Sequence, residues 1–498
     1  MMGSLPEQTM QRASEYIEDR LALHYPSNRW NDLEHKITRA AEELGYTDGE
    51  LFVRHMTSSV FTREQDEILI SHLTVNETYF WREPGSFDAL VNSVLPGLIR
   101  SRHEEKRIRI WSAGCSTGEE PYSIAMALQT VVPQPTEWNI SILATDMNPQ
   151  SLQTAAAGVY GERSFRRSPP WVKQRFFSNN GNGMFTILPA IQRMVHFTYL
   201  NLAEAGYPSL LTGTNAMDII FCRNVLIYFT ERRCSQVVRG LFNTLVPGGH
   251  LIVSASELSL RSLSQFTPVN YPESVLYRKD TPNETLQQTV LVVEPLAAPQ
   301  EISSPVDPVT HHPVEKVPAA SRTVNKDIPR PENDAALHSV YDTAKELYRQ
   351  GKYSHVVEVL HEKQLTSDER ILLIRTYANQ GKLDDAAQLC TKAVAADKLN
   401  PGLHYLYATI LQEYHRLHEA VTSLQRALYL DPNFVLAQYS LGKIYLMLGN
   451  NKSADKCAEN VLAILKTCGK DDILFESEGL SAGRFKEMID ASKKRDAL

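Results

Sequence analysis

Between residues 105 and 280 the chain alternates short apolar runs with longer amphipathic stretches. The runs IRIWSA (108–113), ISILATD (140–146), MVHFTYL (194–200), MDIIFC (217–222) and LIVSAS (251–256) are brief and almost continuously apolar. That pattern predicts strands buried on both faces. Helical patterns separate most of them, so the stretch predicts an α/β, doubly wound sheet whose ligand sits at the carboxyl edge of the strands. Upstream, Leu33, Ile37, Ala40, Ala41 and Leu44 recur at helical spacing. Residues 1–75 therefore predict a small helical bundle made from MQRASEYIEDRLALHY, WNDLEHKITRAAEELGY, DGELFVRHM and TREQDEILISHL, a cap on the sheet rather than its core.

Past residue 335 the pattern is helical again and repeats. Ala386, Ala420 and Ala454 recur every 34 residues, and the turns YRQGKY, ANQGKL, QEYHRL and LMLGNN recur in step. This period resembles tetratricopeptide (TPR) repeats, about four helical pairs starting near 338, 370, 403 and 437. Such pairs stack into a superhelix over 336–470, whose groove would take a protein or peptide partner. A spacer or dimer surface is the competing reading. Residues 471–498 read as a C-terminal helix and tail, with SKKRDAL a solvated helix end. Nine prolines between 281 and 335 mark an extended, disordered linker. Its one apolar island is TVLVVEPL (289–296).

Composition narrows the classes. The 498 residues exceed one ordinary core. No stretch of eighteen uninterrupted apolar residues predicts a membrane span, and the first twenty residues lack a signal-peptide pattern, which predicts a cytoplasmic chain. The six cysteines show neither CxxC nor Cys/His spacing, so neither a metal site nor a disulfide framework is expected. A net charge of −7 without a basic patch predicts no nucleic-acid partner.

The chemistry concentrates in RIRIWSAGCSTGEEPYS (107–123): a strand, a turn bracketed by Gly114 and Gly118, and a helix start carrying Glu119 and Glu120. Two acids there would repel a pyrophosphate, and no Lys-Ser/Thr follows the glycine as a P-loop requires. A nucleoside with a positive head fits better, and S-adenosylmethionine is the common one. The acids also simply complement the helix dipole, a reading that stays open here. Asp146, ending the second strand, suits a ribose diol or the cap of a helix near Pro149. Arg223, Asn224 and Tyr228 follow the fourth strand, and Leu245-Val-Pro-Gly-Gly249 reads as a turn. NETYFWREP (76–84) reads as an interdomain packing element or part of the site.

Together, NETYFWREP, WSAGCSTGEEPYS (111–123), ATD (144–146), NL (201–202), FCRNVLIYF (221–229) and LVPGG (245–249) resemble the CheR family of chemoreceptor glutamate methyltransferases. The resemblance covers roughly residues 10 to 280, and the fused repeats resemble its TPR-bearing, Wsp-type branch of surface-sensing and biofilm signalling. It implies a class I S-adenosylmethionine methyltransferase domain over 76–280. It also implies that Asn76, Thr78 and Arg82 approach the cofactor, that Glu120 pairs with its amino group and that Asp146 holds the ribose. Asn201 and Leu202 would flank the adenine, and Arg223 and Asn224 would lie near the methionyl part. Glu119 remains a helix-start acid.

The implied acceptor is a glutamate carboxylate of a methyl-accepting chemoreceptor, oriented by Arg82 and Tyr228. A carboxylate is a nucleophile at neutral pH, so no general base is needed. A non-catalytic TPR signalling scaffold and a methyltransferase for another carboxylate are the alternatives. Two departures affect the partner. The bundle helix that is arginine-rich in many family members carries only Arg29, Lys36 and Arg39 against Asp32, Glu34, Glu42 and Glu43, which weakens electrostatic steering to an acidic receptor. The insertion RFFSNNGNGMFTILPAI (175–191), which in relatives can capture a receptor tail by strand addition, has a short loop. Tail capture is therefore not expected, and docking is expected to fall to the TPR groove.

Overall fold

The computed structural model describes residues 5–59, 61–204, 206–280, 340–360 and 365–496. The linker at 281–335, with its apolar island, lies outside the described residues.

The five apolar runs form the parallel strands β1 (Arg107–Ala113), β2 (Asn139–Asp146), β6 (Val195–Tyr199), β7 (Met217–Phe221) and β8 (Leu245–Ile252). They lie in the order β6-β2-β1-β7-β8. Chain order reverses between β1 and β7, so the topological switch point falls beside the Gly114 turn, where a doubly wound sheet leaves a crevice for a ligand. Helices cover both faces. One side buries Ile108, Ile110, Tyr122 and Phe197, the other Trp111, Ile220, Val238 and Leu251.

The sheet departs from the expected pattern at β8. Leu245-Val-Pro-Gly-Gly249 is strand rather than turn: Leu245 pairs with Met217, and the register slips before Ile219 pairs with His250. The slip accommodates Pro247, which cannot donate to the ladder, and Gly248 at φ 81°. An antiparallel hairpin, β9 (Thr267–Tyr271) and β10 (Ser274–Arg278), extends the sheet beyond β8. A second, three-stranded antiparallel sheet orders β3 (Val159–Gly161), β5 (Met184–Ile187) and β4 (Phe177–Gly181) as β3-β5-β4. Asn182 and Gly183, both at positive φ, make its β4–β5 turn only two residues long.

Helices Glu7–Leu21, Trp30–Glu43, Gly49–Ser58 and Arg63–Leu73 form the N-terminal bundle. Their apolar stripes meet around Ile17, Leu33, Ile37 and Phe52, and Asp48 caps the third helix through the Glu50 and Leu51 N–H groups. Four antiparallel pairs follow the linker: Val340–Arg349 with Tyr353–Leu360, Ser367–Asn379 with Leu383–Ala396, Pro401–Glu413 with Leu417–Leu430, and Val435–Met447 with Asn451–Leu465. Ala386, Ala420 and Ala454 are buried where the helices cross. The turns place Gly381, His415 and Gly449 at positive φ, 34 residues apart.

The repeat array folds back onto the α/β unit. The Glu413 carboxylate pairs with Arg107 at 3.1 Å and with Arg109, both at the amino end of β1. Asn139 at the start of β2 donates to the Glu413 carbonyl at 3.0 Å, and its amide oxygen lies 2.7 Å from His415. Leu210 and Leu211 pack among apolar side chains of the repeats. The last helix, Ala482–Asp496, packs against β6 and helix Pro149–Ala157. The repeats therefore dock at the end of β1 opposite the Gly114 turn.

Candidate active site

After β1 the backbone turns back on β2, with the Gly114 and Cys115 N–H groups both donating to the Thr145 carbonyl. Gly114 is required twice over: its φ is +86°, and a Cβ there would lie 2.4 Å from the Val225 side chain. Gly118 (φ +94°) then starts helix Glu119–Val131.

The two acids at this helix start separate. Glu119 accepts from the hydroxyls of Thr117 (2.6 Å) and Ser164 (2.9 Å), away from the crevice. Glu120 faces the crevice, accepting from Ser112 Oγ at 2.7 Å and from Arg223 at 3.3 Å. Burial raises its pKa, and Arg223 opposes that rise. Arg223 is itself almost fully buried, donating to the Arg82 carbonyl at 2.6 Å and pairing with Glu83 at 3.2 Å.

Asp146 accepts from the Ser116 N–H at 2.8 Å with one oxygen and from the Asn148 N–H at 2.8 Å with the other. It does not cap the following helix. Asn148 does, through the Gln150 and Ser151 N–H groups. Burial raises the Asp146 pKa against those backbone donors. Asn201 closes a turn by accepting from the Ala203 N–H at 3.0 Å, beside buried Leu202. From the interdomain segment, Asn76 accepts from Ser151 Oγ at 2.9 Å and Arg82 donates to the Glu77 carbonyl at 2.6 Å. The Thr78 carbonyl accepts from Arg166. Tyr228 is half-buried, its carbonyl accepting from the His24 N–H, and burial raises its phenol pKa.

All ten residues singled out in the sequence (Asn76, Thr78, Arg82, Glu120, Asp146, Asn201, Leu202, Arg223, Asn224 and Tyr228) line one cavity of about 320 Å³. The same lining includes the apolar side chains of Leu23 and Leu73, contributed by the N-terminal bundle. The bundle is therefore part of the site and not only a cap. Three buried polar atoms on cavity-lining residues, Ser116 Oγ, Arg223 Nε and Asn224 Oδ1, have no hydrogen-bond partner among the described residues. Unsatisfied polar atoms beside a cavity of this size point to a ligand that completes them. A nucleoside with a cationic head matches the donor set: acids for the cation and diol, apolar surface for the base.

Sequence reasoning missed Glu257. Fully buried on the segment after β8, its carboxylate accepts from the backbone N–H groups of Asn224 (2.9 Å), Val225 (2.9 Å) and Leu226 (2.8 Å). It also accepts from the N–H and hydroxyl of Ser254. This holds Asn224 in a left-handed conformation (φ 59°) at the cavity wall. The signal available in the sequence was Ser254-x-x-Glu257, a capping-box pattern.

Residues 76–275 match the family model described as CheR methyltransferase, SAM binding domain, and residues 416–449 match a TPR repeat model. Chemotaxis protein methyltransferase 2 of Vibrio cholerae is 36% identical over 243 residues, 48% of this chain and 83% of that protein. Chemotaxis protein methyltransferase 1 of Pseudomonas aeruginosa is 34% identical, covering 53% of this chain and 94% of that protein. The chain belongs to the CheR methyltransferase family. As a CheR-type enzyme it is an S-adenosylmethionine-dependent methyltransferase, joined here to C-terminal TPR repeats. The probable biofilm formation methyltransferase WspC of P. aeruginosa aligns along both regions, 27% identical over 438 residues, 85% of this chain and 94% of that protein. Among the described residues no helix is long and apolar enough to cross a membrane.

Proposed function

We propose that this CheR-type enzyme methylates glutamate side chains of a chemoreceptor from the cytoplasm, forming methyl esters within a surface-sensing or chemosensory pathway. The observation that carries the reading is the convergence of ten side chains from five separate stretches of sequence on one cavity at the switch point. Glu120 and Arg223 would hold the amino-acid end of S-adenosylmethionine, with Asn224 beside them. Asp146 would take the ribose, Asn201 and Leu202 the adenine, and Asn76 and Thr78 the approach side. When bound, S-adenosylmethionine supplies a methyl group on a positively charged sulfur.

An acceptor carboxylate is already ionised at neutral pH and is itself the nucleophile. The protein's part is then to position that carboxylate and exclude water from it. Arg82 and Tyr228, half-buried in the cavity wall, are the groups to orient it. Residues 76–280 form the catalytic unit of this proposal and residues 1–75 its helical subdomain. The repeats at 336–470 would serve protein interaction.

Receptor approach relies little on charge. Arg29, just before helix Trp30–Glu43, and Lys36 within it both lie near Asp32, at 3.2 and 3.8 Å, and Lys36 also donates to the Leu73 carbonyl. Two of the three cations that would meet an acidic receptor are thus already engaged. The short β4–β5 turn supports a reading without receptor-tail capture. The test is incubation with radiolabelled S-adenosylmethionine and membranes carrying candidate receptors. Base-labile label on a receptor band is expected. Cofactor binding without any label would favour a scaffold, and label only on a small carboxylate would reassign the substrate.

A further inference from the structure

The concave face of a TPR array, lined by the first helix of each pair, is where a partner is expected, yet this chain fills it with its own C-terminal segment. Residues 473–481, ILFESEGLS, form a tight loop closed by a bridge between Ile473 and Ser481 and by the Leu474 N–H donating to the Leu480 carbonyl at 3.0 Å. The loop lies across all four first helices. Glu478 accepts from Tyr348 Oη of the first at 2.9 Å. Glu476 and Glu478 both pair with Arg375 of the second, and Arg375 also donates to the Glu476 carbonyl at 3.1 Å. Gly402 of the third leaves room for the Glu476 carboxylate, which a Cβ there would meet at 2.8 Å. The Phe475 ring sits 4.9 Å from Phe434, at the start of the fourth.

Three features distinguish this loop from an ordinary solvated tail. The Arg375 side chain is only 14% exposed. Burial works against its charge, but Glu478 and Glu476 outweigh burial and raise its pKa. With the loop in place this cation is covered, and only an anionic occupant can cover it without leaving a buried charge unpaired. Glu476 (φ 60°) and Glu478 (φ 58°) both hold left-handed backbone conformations, which non-glycine residues adopt only when their surroundings impose it. Behind Tyr348 stands Asn379, 2% exposed, which donates to Tyr348 Oη at 2.8 Å while its own Oδ1 lacks a partner among the described residues. Polar groups that reach the loop from successive repeats make a recognition surface rather than a packing accident.

We propose that the concave face of the repeats is a binding site for an acidic peptide carrying a Glu-X-Glu pattern beside an aromatic residue, with Arg375 as anchor, and that residues 473–481 occupy it in cis as a built-in competitor. A partner enters by displacing the loop, so its apparent affinity is reduced by the fraction of molecules in which the groove is closed. The cis loop has the advantage of a high effective concentration, which its free counterpart must overcome.

The test uses a fluorescent synthetic peptide, ILFESEGLS, and the full-length chain. Glu476→Gln with Glu478→Gln weakens the cis loop, and the doubly substituted chain is expected to bind the peptide at least about tenfold more tightly than the unsubstituted chain. Adding Arg375→Gln, or replacing both peptide glutamates by glutamine, is expected to abolish the gain. Equal affinity for all chains, or binding indifferent to Arg375, would overturn the proposal. Hydrogen exchange gives a reading without any substitution. Amides of 473–481 in the unsubstituted chain should exchange faster under millimolar free peptide, and unchanged protection would also overturn it. Neither measurement involves methyl transfer, so the result stands apart from the reading of the catalytic cavity.

Discussion

Substituting Glu257 by glutamine tests whether a residue that never reaches the cavity shapes it. In the native chain Oε1 accepts from the Val225 and Leu226 N–H groups, and Oε2 from the Asn224 and Ser254 N–H groups and the Ser254 hydroxyl. An amide keeps only one of these oxygens. Whichever way it turns, two backbone N–H groups lose their acceptor and meet an NH₂ group instead, while the Ser254 hydroxyl can rotate to suit. Hydrogen bonds to a charged acceptor are worth about 1.5–3 kcal/mol each, so the turn loses roughly 3–6 kcal/mol. The 223–226 turn escapes the penalty by opening toward the cavity, which moves Arg223 and Asn224 out of place. A loss of about 3 kcal/mol weakens binding roughly a hundredfold. If the turn instead stays closed, the same loss lowers the Tm of a unit of this size by about 6–12 °C. Isothermal calorimetry with S-adenosylmethionine and thermal unfolding of the apo protein separate the two outcomes. A Kd within about threefold of wild type together with a Tm within about 1 °C would refute the reasoning, because the lost hydrogen bonds must register in one or the other.

Two further substitutions address the acceptor side and the domain contact. Arg82→Ala is expected to abolish methyl transfer in the radiolabel assay while cofactor binding stays measurable by calorimetry; near-wild-type turnover would remove Arg82 from the mechanism. Glu413→Gln breaks the pairing at the amino end of β1. Burial works against the Glu413 charge, but Arg109 and Arg107 push its pKa from 4.5 down to about 2, a stabilisation of at most about 3 kcal/mol above its unfolded pKa. Burial and Arg109 lower the pKa of Arg107 in turn, which makes that figure a ceiling. Because the folded pKa is depressed, the stabilisation is complete above about pH 4.5 and fades as pH falls toward 2. The Tm gap between wild type and Glu413→Gln should therefore hold steady from pH 7 to 5 and narrow below that; a gap absent at pH 7 would show that the pair contributes nothing.

What the sequence disclosed follows from which forces leave a local trace. Buried parallel strands show as continuous apolar runs, and repeats show as a period, so both were visible. Glu120, Asp146, Arg223, Asn224 and Tyr228 were visible because strand carboxyl ends gather ligands in doubly wound sheets, whereas Asn76, Thr78, Arg82, Asn201 and Leu202 followed from the family resemblance of the stretches that line the cavity. Leu245–Gly249 was not read as strand because its pairing depends on a register slip that excuses a proline and two glycines. The β9–β10 hairpin has only weak alternation in TPVNY and SVLYR. Glu257 acts on backbone N–H groups, which carry no residue signature. Glu413 meets arginines some 300 positions earlier, and nothing local in LQEYHR announces that. LFESEGL carried no signal of its own within the C-terminal helix and tail, because its partner is a groove that exists only after four helical pairs have stacked.

Strand β1 separates two tasks by its own length. Arg107 and Arg109 at one end anchor the repeats, and Gly114 after the other end opens the cavity. Seven residues of strand extend about 20 Å. A protein captured by the repeats would therefore be held by a unit whose anchor on β1 lies at the end away from the cavity. If the repeats hold one receptor, a separate anchor and cavity would leave the enzyme free to methylate its neighbours from one foothold.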